Sequence, residues 1–187
     1  SASGSAQSVP DGHEPIFSSL TFIDSLQGAS NSNAVTTVNG STQASSVTVT
    51  DGASAVFISG TSGAASNTIS LTGTTLSAKG ASKKSYVYGG ISLISSSEGS
   101  VSNSTLEMNT DSNGKRTTMT ASDGASIHFI NGANGVEKYT IGLNGANISA
   151  AGAQAGGSVY GAITLVESSH GIVSGSGSKI TLSRDGS

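Results

Sequence analysis

The chain predicts an all-β fold, a parallel β-helix or β-solenoid, on three observations. Residues 51–99 and 123–171 are one segment written twice, at a constant offset of 72 with no gap, and 24 of the 49 aligned positions are identical. Short runs of apolar, polar, apolar residues recur at near-regular spacing, which is the period-two signature of strands with one buried face. Glycine and Asx-Gly punctuation separates these runs, as expected where a chain turns corners. Self-similarity at fixed spacing is the mark of an array whose core grows along one axis.

The runs read in order as Val47-Thr48-Val49, Ile69-Ser70-Leu71, Ile91-Ser92-Leu93, Met119-Thr120-Ala121, Ile141-Gly142-Leu143 and Ile163-Thr164-Leu165, with starts 22, 22, 28, 22 and 22 residues apart. A recurrence of about two dozen residues fits one solenoid turn. The expectation is therefore about seven coils, three in each 72-residue repeat, in a rod on the order of 35 Å long. Further strands are expected at Val56-Phe57-Ile58, Leu76-Ser77-Ala78, Tyr86-Val87-Tyr88 and Leu106-Glu107-Met108. Turns are expected at Asp51-Gly52, Gly73, Gly80, Gly89-Gly90, Asn113-Gly114, Asp123-Gly124 and Asn144-Gly145. The polar stretch from Thr110 to Arg116 accounts for the longer 28-residue step and reads as a protruding loop. No segment sustains the spacing and caps of a helix.

The copies divide the chain into a leader at 1–15, a partial repeat at 16–46, a repeat at 47–118 and a repeat at 119–187. The partial copy aligns Phe17, Leu20, Phe22, Ile23, Gly28 and Val35 with Tyr88, Ile91, Leu93, Ile94, Gly99 and Leu106 at an offset of 71. Pro10, Pro15 and the absence of apolar alternation make 1–15 a loose leader. The repeat breaks off near Ser183-Arg184-Asp185-Gly186, and a solenoid exposes strand edges at both ends, so the chain reads as part of a longer array. Ile69, Ile91, Ile141 and Ile163 are expected to line one shared interior.

Composition narrows function. Charged residues are only 10% of the chain, hydrophobic residues 34% and aromatics 4%, and the formal net charge is −3. Val, Ile and Thr in alternation argue against disorder of the whole chain. The eight Lys and Arg are scattered, without the basic stripe a nucleic-acid surface requires. No apolar run is long enough to cross a bilayer, so no direct membrane insertion of this segment is expected. Cysteine is absent, which excludes disulfides and thiolate metal sites.

The search for chemistry yields no catalytic, cofactor or metal site. His13 lies beside Glu14 and Asp11, while His128 and His170 replace Val56 and Glu98 between the copies and so fall outside the repeated pattern. Metal binding would need several such ligands on one face. A 22-residue step from Asp123 meets Gly145 and then Glu167, and one from Asp51 meets Gly73 and Ser95, so no carboxylates pair as a glycosidase would need. Asp51 and Asp123 read as turn residues. Tyr86 and Tyr88 with Lys83-Lys84 could contact a sugar or protein, but only Tyr160 persists in the second copy, where Ala155, Gly156 and Ser158 replace the rest. A strand with one buried and one edge tyrosine explains them better.

Val87-Tyr88-Gly89-Gly90, its echo Val159-Tyr160-Gly161-Ala162 and the Thr-Ile-Ser-Leu-Thr-Gly stretch at 68–73 resemble repeats in the passenger domains of bacterial autotransporters. The resemblance spans residues 16–187. It implies a right-handed parallel β-helix exported through a C-terminal β-barrel, displayed on or shed from a bacterial outer membrane. It also implies a role in adhesion, in self-association or as a stalk, with a host glycan, a host protein or a second copy as partner. Neither the signal peptide nor the barrel lies within this chain, and the family supplies no shared catalytic residues to this segment. Two alternatives are an ice-binding solenoid and a polysaccharide-processing, tailspike-type β-helix. The first needs threonine at one outward position in successive coils, and at a 22-residue step the row breaks: Thr48 meets Ser70 and Ser92, and Thr120 meets Gly142.

Overall fold

A computed structural model of the chain describes residues 2–5, 19–38, 45–50, 52–80, 89–152 and 161–183. The chain winds through four walls in a fixed order and returns one layer higher each time. The first layer holds β1 (Ala2–Ser5), β2 (Ser19–Ser25), β3 (Ala29–Asn31) and β4 (Ala34–Val38). The second holds β5 (Ser46–Thr50), β6 (Ser54–Gly60), β7 (Gly63–Ala65) and β8 (Thr68–Thr72). The third holds β9 (Thr75–Lys79), β10 (Gly90–Ser96), β11 (Ser100–Ser102) and β12 (Thr105–Asn109). The fourth holds β13 (Thr118–Ser122), β14 (Ser126–Gly132), β15 (Val136–Glu137) and β16 (Thr140–Asn144). The last layer holds β17 (Asn147–Ala150), β18 (Ile163–Glu167), a bridge at Val173 and β19 (Lys179–Ser183).

Every pairing between layers is parallel, and the sheets are β1-β5-β9-β13-β17, β2-β6-β10-β14-β18, β3-β7-β11-β15 and β4-β8-β12-β16-β19. They are called walls A, B, C and D. From Ser19 to Ile163 the chain makes about four turns of a β-solenoid, and no helix occurs among the described residues.

The expected coil length and count are corrected by this register. On wall B, Ala55 pairs Ile91 and Ile127 pairs Ile163, each 36 residues on. The 22-residue step runs instead from wall A at Val47 to wall D at Ile69 and then to wall B at Ile91. There are about four turns and not seven, and two coils in each 72-residue repeat, not three. With layers about 4.8 Å apart, the five layers span about 19 Å, shorter than expected.

Wall A explains why the sequence repeats every second coil. Val47 pairs Leu76 at 29 residues, Leu76 pairs Met119 at 43, and Met119 pairs Ile148 again at 29. A short coil and a long one together make the 72. The long coil carries two extra connections, residues 80–89 between walls A and B and residues 110–117 between walls D and A.

Inward positions build one continuous core. Val47, Leu76 and Met119 stack on wall A, Ile69, Leu106 and Ile141 on wall D, and all are buried. On wall B two adjacent residues turn inward, Phe57-Ile58, Leu93-Ile94 and Phe129-Ile130, where each strand bends. Removing such a side chain from water stabilises by roughly 1.5–3 kcal/mol, and each coil's side chains are covered only when neighbours lie above and below. Of the four isoleucines expected inside, Ile69, Ile91 and Ile141 are buried, whereas Ile163, on the outermost described strand of its sheet, is 42% exposed.

Corners are built differently. Between walls C and D one residue per coil takes the left-handed conformation: Ser32, Ser66, Asn103 and Lys138, with φ from 48° to 57°. Between walls B and C the pairs Gly60/Gly63, Ser96/Gly99, Gly132/Gly135 and Ser168/Gly171 recur every 36 residues. In the serine coils the hydroxyl closes the corner, accepting the N–H of Gly99 at 2.9 Å and of Gly171 at 3.0 Å. Of the expected turn residues, Gly52, Gly73, Gly89, Gly114, Asp123, Gly124 and Gly145 all have positive φ.

The segment Ala2–Ser5 pairs in parallel with wall A at Val47–Thr50. The rest of 1–15 lies outside the described residues, as do Asp51 and the expected strand at Tyr86-Val87-Tyr88.

Candidate functional surface

Alternation within each strand turns half of its side chains outward, and the parallel register lines these up from coil to coil. On wall A, Ser46, Thr75, Thr118 and Asn147 form one outward row. Two residues along, Thr48, Ser77, Thr120 and Ser149 form a second. Neighbours within a row are about 4.8 Å apart and the rows about 6.6 Å apart. The second row corrects the broken ladder of the 22-residue reading, because the true partner of Thr48 is Ser77 and not Ser70. Hydroxyl groups hold both positions through the second, third and fourth layers.

Wall D carries a related surface. Thr68, Thr105 and Thr140 form one row, and Thr72, Asn109 and Asn144 another. Asn144 Nδ2 donates to Asn109 Oδ1 at 2.9 Å, so these amides are chained along the axis. A hydroxyl both donates and accepts and can rotate to suit its partner, whereas an amide has fixed donor and acceptor ends. Wall A is therefore the more adaptable face.

The charged groups are few and dispersed over the corners and walls. Lys79 Nζ lies 3.5 Å from Asp123 Oδ2 at the edge of wall A, and Asp123 has φ +51°, the turn role expected of it. His128 Nδ1 lies 3.4 Å from Glu167 Oε2 in the next layer on wall B, an approach without hydrogen-bond geometry. His170 sits exposed in the last corner between walls B and C. Glu107 faces outward on wall D and Glu137 lies on wall C, so the carboxylates are spread over separate walls. Among the described residues, no three His, Cys, Asp or Glu side chains gather in a way that could hold a metal ion. His13, the lysine pair Lys83-Lys84, Tyr86, Tyr88 and Tyr160 lie outside the described residues.

The polar stretch at 110–117 is pinned at both ends and exposed at its tip. Asp111 is buried and accepts the N–H of Asn113 at 2.9 Å and of Lys115 at 2.8 Å. Buried Thr117 donates to the carbonyls of Leu71 and Asn109. Ser112, Asn113 and Gly114 are exposed between them.

Sequence reasoning missed the outward rows because it paired the wrong strands. A usable signal was present: Gly60/Gly63, Ser96/Gly99, Gly132/Gly135 and Ser168/Gly171 step by 36, half the visible repeat. Comparison with protein-family models, curated proteins and solved structures finds no match to this chain.

Proposed function

We propose that this chain is a non-enzymatic, extracellular β-solenoid segment of an autotransporter-like adhesin, a rigid stalk whose outward rows contact a host glycan, a host protein or another copy. The observation that carries the reading is the stacking of hydroxyl and amide side chains on walls A and D in register over successive coils. Such rows repeat a weak polar contact at fixed intervals, and repetition turns weak contacts into useful avidity. A right-handed winding belongs to the same reading, since parallel strands joined by crossovers wind that way almost without exception.

Binding of the purified chain to arrayed host glycans and matrix proteins tests it. The double variant Thr118→Lys, Thr120→Lys should keep the β-sheet circular dichroism spectrum and lose binding by about tenfold or more, because two ammonium groups would crowd the centre of wall A. Equal binding by the variant would remove wall A from the proposal, and no binding by either protein would leave only the stalk.

The hydroxyl rows of wall A also favour a second reading, an ice-binding solenoid, since a regular array of rotatable hydroxyls can order water. Thermal hysteresis of a dilute solution decides it: a freezing gap abolished by the same double variant supports ice binding, and none removes it.

A further inference from the structure

The chain contains five Asn-Gly steps: Asn39-Gly40, Asn113-Gly114, Asn131-Gly132, Asn134-Gly135 and Asn144-Gly145. Asn39-Gly40 lies outside the described residues. An asparagine before glycine is open to attack by the next backbone nitrogen on its own side-chain amide, because glycine places no β-carbon beside that nitrogen and rotates freely. The fold sets the four described steps in unequal surroundings.

Three are held between layers. Asn131 and Gly132 pair with Ser95 and Ser96 of β10, and Asn131 also with Glu167 of β18. Asn134 donates its side-chain amide to the Glu98 carbonyl and its backbone N–H to the Gly99 carbonyl at 3.0 Å, while its own carbonyl accepts the Ser100 hydroxyl at 3.2 Å. Asn144 lies in β16 between β12 and β19, with its Nδ2 donating to Asn109 Oδ1 at 2.9 Å. Closing a ring at any of these steps would pull coils apart.

Asn113 and Gly114 stand exposed at the tip of the loop between walls D and A. Gly114 has φ +79° and nothing within 4 Å of where its β-carbon would stand. The bonds that shape the tip stay within the loop. The N–H groups of Asn113 and Lys115 donate to Asp111 Oδ1 at 2.9 Å and 2.8 Å, and that of Gly114 donates to the Asp111 carbonyl at 3.0 Å. The tip can therefore rearrange without parting two layers.

We propose that Asn113 is a self-modification site that deamidates through a cyclic imide, with Asp111 as the positioning residue that restrains it. The Gly114 nitrogen loses its proton and bonds to Asn113 Cγ, and the side-chain nitrogen leaves as ammonia. Water then opens the ring at either carbonyl. Breaking the new bond at Cγ gives aspartate, and breaking the old peptide bond gives isoaspartate, with the main chain rerouted through Cγ. One water enters, one ammonia departs, and no oxidant is needed. Either product adds a carboxylate beside Lys115 and Arg116. The inference rests on the loop geometry and is independent of what the outer walls bind.

Incubation of the folded 187-residue chain at mildly alkaline pH, followed by peptide mapping with tandem mass spectrometry, tests it. Asn113 should convert faster than Asn131, Asn134 or Asn144 by about tenfold or more, since opening core strands approaches the cost of unfolding the whole chain. The rate should rise with pH, because the attacking nitrogen must lose its proton. In urea the four steps should converge, which would assign the difference to the fold and not to neighbouring sequence. Asp111→Ala should speed conversion several-fold, and Asp111→Asn, which keeps an acceptor oxygen, should restore the slower rate; equal rates in all three proteins remove the restraint assigned to Asp111. Circular dichroism, together with unchanged rates at the other three steps, distinguishes a loosened loop from a lost fold. An Asn113 that stays intact in the folded chain while converting in urea, or that converts no faster than Asn134, overturns the proposal.

Discussion

Asn67 Oδ1 accepts two hydrogen bonds from Asn33 of the preceding coil, from its backbone N–H at 3.0 Å and from its Nδ2 at 3.2 Å. Asn67 Nδ2 in turn donates to the Ser30 carbonyl at 2.7 Å, and the side chain is fully buried. It thus ties walls C and D of one layer to those of the layer below. Replacing Asn67 with alanine strands the Ser30 carbonyl and the Asn33 amide, and a buried polar group without a partner costs about 1–3 kcal/mol. Asn67→Ala should therefore lose about 2–3 kcal/mol in urea unfolding, and Asn33→Ala, at a half-exposed site, about 1 kcal/mol or less.

This amide lies beyond what the sequence made visible, and the reason is physical. Alternation at Ile69-Ser70-Leu71 and at Ile91-Ser92-Leu93 reports that each strand has a buried face, and both strands are present. It does not report which wall a strand belongs to, because the same pattern serves walls A, B and D. Wall C was missed because its strands are two or three residues long with one inward side chain each, such as Ala64, Val101 and Val136, too short to alternate. The offset of 72 is a period of the sequence alone, and the alternation of short and long coils hid the coil within it. The outward rows could be read only after the walls were assigned.

The core divides into covered and uncovered residues. Phe57 is fully buried, while Phe22 stacks on it with ring centroids 4.7 Å apart and remains 44% exposed. Phe57→Ala should cost about 3–5 kcal/mol, the range for a large buried aromatic, because neighbouring layers hold the cavity open. Phe22→Ala should cost less than about 1.5 kcal/mol, mostly the lost ring contact. Chemical denaturation of the two variants, with circular dichroism as the probe, measures the difference. Equal losses would contradict the layer order.

The left-handed corners store backbone strain unevenly. A left-handed residue with a β-carbon costs roughly 1–2 kcal/mol, and asparagine is among the few that tolerate it. Lys138 occupies this conformation with φ +50°, in the stack that Asn103 also joins. Lys138→Asn should raise stability by about 0.5–1 kcal/mol. Asn103→Val should lower it by about 1–2 kcal/mol, since a β-branched side chain fits this region worst. Midpoints of thermal unfolding moving in opposite directions would establish that the corner, not the side-chain chemistry, sets the effect.

Two glycines with opposite surroundings, Gly99 between walls B and C and Gly175 between walls C and D, test how tightly the corners are packed. A β-carbon on Gly99 would overlap the backbone carbonyl of Ser62 in the layer below, and Ser96 Oγ already holds the Gly99 N–H. Neither neighbour is the movable end of a long side chain, so the coils themselves would have to separate. Overpacking of this kind costs about 1–3 kcal/mol in ordinary cores, and backbone against backbone lies at or beyond the upper end. Gly175 has open space where its β-carbon would stand and no positive φ. Gly175→Ala should therefore be neutral or stabilising by up to about 1 kcal/mol, through a less mobile unfolded chain. Gly99→Ala should shift the urea midpoint sharply downward or prevent folding, and hydrogen exchange should locate the opened amides at Val101 and Gly99, whose N–H groups bond the layers on either side. A Gly99→Ala protein as stable as the parent would mean that walls B and C do not meet at this corner.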